Sequence, residues 1–90
     1  MQTAVGESMA PTINDGDLLL LDTTQQDLGR FGIYVIEVNG HHLVKRVQRR
    51  LDGGLLLISD HPRYVTESLT ADQAGTVKAL GQVVWSAGAI

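Results

Sequence analysis

No cysteine occurs in the 90 residues, which excludes a disulfide scaffold and thiolate chemistry and fits a reducing compartment. No apolar run approaches the roughly 20 residues needed to cross a bilayer. The longest are short, at 18–21 and 55–58, and no signal-peptide pattern follows Met1. The chain is therefore expected to be soluble and cytoplasmic. Positive charge is not in excess: the formal net charge is −3, which argues against this chain holding nucleic acid by itself. Low-complexity stretches and long segments of helical periodicity are also missing. What remains is an ordinary globular composition, 43% apolar and 19% charged, sized for one domain spanning 1–90. A domain this small buries only about 60% of the surface its unfolded chain exposes, so its stability is expected to be modest or helped by association.

Hairpin signals are the clearest feature present. Asp15-Gly16 precedes the run 18–21, Asn39-Gly40 separates 33–38 from 42–50, and Asp52-Gly53 separates that run from 54–59. Asn-Gly and Asp-Gly supply the positive φ angles of a type I′ turn, so each pair predicts a two-residue hairpin. Strands are expected over 32–38, 42–51 and 54–59 as a meander, with a last strand over 80–85. Pro62 makes 60–64 a turn or loop, since proline removes a ladder donor. Residues 68–75 could hold a helical turn, although Thr70 and Gly75 argue against it. The fold class expected is all-β with at most short helical turns, built from hairpins.

Two segments carry candidate chemistry. The first reads Gly6-Glu7-Ser8-Met9-Ala10-Pro11-Thr12, followed by Asp15-Gly16-Asp17, and the second reads Leu43-Val44-Lys45-Arg46-Val47. Side chains alternate between the faces of a strand. Lys45 is thus in phase with apolar Leu43 and Val47, while Arg46, Gln48 and Arg50 share the opposite face with Val44 and are expected to meet water. A lysine directed at the core loses its proton more readily, because desolvation disfavours the charged form. A neutral amine can take the proton of a serine hydroxyl. The same phase also fits a lysine that snorkels to the strand edge and covers apolar surface. Alternation alone leaves both outcomes open.

These two segments, with Leu57-Ile58-Ser59-Asp60-His61-Pro62-Arg63-Tyr64 after them, resemble the peptidase domain of the LexA-like family, which includes LexA, lambda-type phage repressors and UmuD. The ending Gly81-Gln82-Val83-Val84-Trp85 resembles a strand common near the end of the phage members. The similarity covers almost the whole chain, with its motifs in order. It implies a Ser-Lys serine peptidase in which Ser8 is the nucleophile and Lys45 the general base. It further implies a homodimerising C-terminal domain that cuts its own chain upstream, on induction by a RecA-type filament, or one that meets an antirepressor. DNA would be bound only through a separate helix-turn-helix domain. Few residues precede Ser8, so the chain is expected to be the C-terminal part alone, without that domain or the cleavage segment. Two alternatives are a non-cleaving dimerisation or antirepressor-binding module and a signal-peptidase-like enzyme, which shares the serine box but needs a membrane anchor.

Lesser roles fall to the neighbours. Gly6 and Pro11 are expected to shape the turn presenting Ser8, whose backbone N–H is a candidate oxyanion donor. Met9 is expected to pack in the core or a substrate groove, and Asp17 to bond a local turn. His41 and His42 do not make a metal site, because adjacent strand residues point to opposite faces and no third ligand stands out. No cofactor is implied.

Overall fold

The computed structural model describes residues 1–88. Its strands are β1 (Gln2–Thr3), β2 (Leu18–Asp22), β3 (Gly32–Val38), β4 (His41–Arg49), β5 (Leu55–Ile58), β6 (Glu67–Leu69) and β7 (Lys78–Ala87), with one short helix, α1 (Ala71–Ala74), before β7. They form a seven-stranded antiparallel sheet in the order β1-β2-β7-β3-β4-β5-β6. The chain is all-β, and β3 to β5 form the expected meander. The last strand returns across the sheet and inserts between β2 and β3.

Turn chemistry explains where the hairpin expectations hold and where they fail. Asn39 and Gly40 both have positive φ, 51° and 80°, and join β3 to β4 as a two-residue turn. At the second hairpin only Gly53 does, at 88°. Its N–H donates to the Arg50 carbonyl at 3.1 Å, and the Arg50 N–H donates to the Gly54 carbonyl at 2.8 Å. The loop is therefore three residues, 51–53, with the left-handed conformation confined to the glycine. Asp tolerates that conformation less well than glycine, which has no Cβ. Asp15-Gly16 does not join two strands directly either. Gly16 alone is left-handed, and the Asp17 N–H donates to the Asn14 carbonyl at 3.0 Å inside a longer excursion between β1 and β2. Thr70, counted against a helix, starts one: its side chain accepts from the Gln73 N–H, and the Gln73 side chain accepts from the Thr70 N–H, a capping box.

Apolar side chains are buried on both faces of the sheet. Leu28, Tyr34, Ile36, Val47, Leu55, Leu57 and Ala79 form one core. Ala4, Met9, Ile13, Leu19 and Val35 form the other, with Ile33, Val44 and Val83 packed against it. Central strand β3 thus has Tyr34, Val35 and Ile36 in succession fully buried, which is why its sequence does not alternate. The expectation that the Arg46 face of β4 meets water is corrected for its inner part. Val44 packs on the second core, whose other members include residues of the 4–17 excursion, and Arg46 is half-buried in an ion pair.

Candidate active site

The excursion that carries Ser8 is closed at its neck by backbone bonds. Ala4 N–H donates to the Asp17 carbonyl at 2.8 Å, and Gly16 N–H to the Ala4 carbonyl at 2.9 Å. A further rung runs from the Gly6 N–H to Asp15 Oδ1 at 2.8 Å. Asp17 accepts the Asn14 N–H at 2.9 Å, the local-turn role expected of it. Inside the loop, Met9 and Ile13 are driven into the second core and anchor it like two pegs. Ser8 precedes the first of them, after the left-handed Gly6, and is half-buried. The Ala10–Pro11 peptide is cis.

Lys45 lies on β4 opposite Tyr34, on the face of the first core, and is half-buried. Its Nζ donates to Ser59 Oγ at 2.8 Å and stands 5.8 Å from the centre of the Tyr64 ring. Burial lowers the Lys45 pKa from the usual lysine range, and the Glu67 carboxylate offsets part of that effect. Ser59 follows Ile58, the partner of Arg46 across the β4–β5 ladder, so the register sets Ser59 across from Lys45.

Ser59 and the two residues after it tie the parts together. Asp60 receives Arg46 bidentately, Nε to Oδ1 at 3.0 Å and Nη2 to Oδ2 at 2.7 Å, and also the Thr12 hydroxyl at 2.6 Å. The His61 N–H donates to the Ser8 carbonyl at 2.9 Å. The His61 ring then meets Tyr64 edge-on, with centroids 5.5 Å apart. Lys45 reaches this segment through its side chain and Ser8 through its backbone; the hydrogen bond made by Lys45 goes to Ser59 rather than to Ser8. His41 and His42 sit at the exposed end of the β3–β4 hairpin, His42 at 3.7 Å from Glu37.

Sequence reasoning gave no role to Ser59, Asp60, Thr12 or Arg46, although Ser59 and Asp60 lie in one of the recognised motifs and Thr12 in another. The signal that would have found Ser59 is the β4–β5 register.

Two stability measurements follow from this electrostatics. Asp60 has its pKa lowered, chiefly by the hydrogen bonds from Arg46; burial opposes this, and the Thr12 hydrogen bond and the Arg46 charge lower it further. A depressed carboxylate contributes stability that is present above its unfolded value of about 3.9 and is lost as pH falls through its folded value. Asp60→Asn should therefore be less stable by about 1–3 kcal/mol at neutral pH, and the gap should shrink in acid. Urea denaturation of both proteins at neutral and acid pH measures this, and an equal gap at both would remove the explanation. For Lys45 the sign is opposite. Its lowered pKa is a penalty, complete below the folded pKa and relieved as pH rises toward the unfolded value of about 10.4. Lys45→Met keeps the length without the charge, so it should be more stable near neutral pH and should lack the alkaline rise. Equal stability throughout would mean that Lys45 is solvated.

Residues 1–84 match the Peptidase S24-like family. An uncharacterized HTH-type transcriptional regulator of Haemophilus influenzae is 35% identical over 81 residues, which is 90% of this chain and 34% of the regulator. The chain thus spans about a third of the length of that relative. No helix among the described residues is long and apolar enough to cross a membrane.

Proposed function

Because the chain belongs to the Peptidase S24-like family, we propose that it is the self-cleaving peptidase and dimerisation domain of a transcriptional repressor, with Ser8 as nucleophile and Lys45 as general base. The observation that carries the reading is the joint attachment of Ser8 and Lys45 to residues 59–61, the serine through its carbonyl and the lysine through its amine. Burial, which makes the lysine easier to deprotonate, supports the assignment of the base.

In this mechanism neutral Lys45 takes the proton of the Ser8 hydroxyl while Oγ attacks the scissile carbonyl. The resulting ammonium then returns the proton to the leaving amine. The substrate is a peptide bond upstream in the same protein, and a RecA-type filament is the inducer that the resemblance implies. The relative's longer chain and its naming as an HTH-type regulator support a DNA-binding domain upstream. Cutting between the two parts uncouples DNA binding from dimerisation, so affinity that depends on two linked half-site contacts collapses.

A longer protein that carries its native upstream segment is expected to cut itself when incubated at alkaline pH, faster as the amine loses its proton. An intact chain throughout that range would remove the reading.

A further inference from the structure

Lysine is a long, flexible side chain, and a base must keep its lone pair aimed at the proton it removes. Something has to hold the amine. We propose that Ser59 is the positioning residue of Lys45: it accepts one amine N–H and so fixes the direction in which the lone pair faces, an inference that rests on the Ser8–Lys45 reading.

Three features of the geometry carry this. Ser59 Oγ stands 2.8 Å from Lys45 Nζ, a full-strength hydrogen bond to a half-buried group. Ser59 cannot drift from that place. On one side Ile58 is locked into the ladder opposite Arg46, and on the other Asp60 is clamped by Arg46 and by the Thr12 hydroxyl. Finally, the His61 N–H holds the carbonyl of Ser8 itself. The residue that holds the base is therefore two positions from the one that holds the nucleophile's backbone. Residues 59–61 act as a short ruler between the two.

The chemistry of the bond gives a signature. A serine oxygen that accepts from the lysine stabilises the ammonium more than the amine. Its removal should let Lys45 lose its proton at lower pH while leaving the amine free to rotate away from Ser8. Ser59→Ala should thus be slower at its plateau yet begin to react at lower pH. A residue needed only for packing would lower the rate without moving the rising limb.

The test uses this chain and diisopropyl fluorophosphate. In the labelling step Ser8 Oγ bonds to phosphorus, the P–F bond breaks, fluoride leaves and the hydroxyl proton passes to Lys45. Labelling rates are read by intact mass from neutral to alkaline pH for wild type, Ser59→Ala, Ser59→Thr and Lys45→Ala. Ser59→Ala is expected to fall by roughly 10²-fold at its plateau, with its rising limb displaced to lower pH. Ser59→Thr, which keeps the hydroxyl, should recover most of the rate and the wild-type limb. Wild-type rate and limb in Ser59→Ala, with Lys45→Ala inert, would overturn the role of Ser59 and leave the dyad standing. A slow Ser59→Ala with an unmoved limb and no rescue by threonine would also overturn it. Wild-type labelling in Lys45→Ala would overturn the dyad reading itself.

Discussion

Ser8→Ala is expected to abolish self-cleavage, and Lys45→Ala to slow it by roughly 10²–10⁴-fold, the range that a positioned base contributes. The first removes the attacking atom. The second leaves a hydroxyl whose proton has no acceptor, in a site where Lys45 is the half-buried amine placed against residues 59–61. The double variant should be no worse than Ser8→Ala, because parts of one catalytic unit fail together rather than additively. Lys45→Arg separates two explanations of the lysine's importance. A guanidinium keeps the positive charge but does not give up its proton at any pH the protein survives. If Lys45 acts as a base, Lys45→Arg should be as inert as Lys45→Ala; if it acts only through charge, activity should persist. The measurement is the disappearance of the intact longer protein at several alkaline pH values. Continued cleavage in Ser8→Ala would sink the assignment outright.

Much of the fold was legible because its signals are local. Asn39-Gly40 dictates its own turn, and the meander follows from it. The phase of Lys45 was also legible, since it needs only the alternation of β4, and it does face the core that holds Val47. The site's remaining parts were not, and the cause is one residue of loop length. A two-residue turn at Asp52-Gly53 would pair Leu51 with Gly54 and set Asp60 opposite Lys45. The observed three-residue loop shifts the ladder by one, so Arg46 pairs with Ile58 and Ser59 comes opposite Lys45. Composition cannot separate the two turns, because Asp-Gly suits both. The second core is not legible for another reason. It is made by residues of an irregular loop, Met9 and Ile13, whose burial has no period to read. That same loop covers the face of β4 that alternation alone assigns to water. Thr70 starts the helix it is expected to oppose, because a residue unfavourable inside a helix is a favourable one at its start.

Self-association is the other large effect expected, and the surface around β7 is where we expect it. That strand pairs with β3 only as far as Gln82, while its end continues along β2 to Ala87. Beyond Gln82 the edge turned away from β2 has no ladder partner among the described residues. The same region carries exposed apolar side chains: Leu18 and Leu20 on β2, Val84 and Trp85 on β7. Leu20 and Trp85 are cross-strand partners and so lie on one face. An open edge beside exposed apolar groups is a surface that proteins ordinarily cover. A second copy of the chain is expected to cover it, by antiparallel pairing of residues 83–87 about a two-fold axis, an isologous contact that would set each Trp85 against the partner's surface. Buried tryptophan is among the residues that dominate such interfaces, costing at least about 2 kcal/mol when truncated, which corresponds to roughly 30-fold in Kd. Trp85→Ala should weaken the dimer by that factor, and Leu20→Glu with Trp85→Glu should do so further by placing charge on both sides. Sedimentation equilibrium up to high micromolar concentration measures this. Trp85 is the chain's one tryptophan, so its emission should also shift to shorter wavelength as the wild type associates. The monomeric variants should keep their reaction with the serine probe, since neither substituted residue contacts Ser8, Lys45 or residues 59–61 through any bond described for them. A wild type that stays monomeric throughout, or a charged double variant that associates as well as the wild type, would remove this surface as the interface.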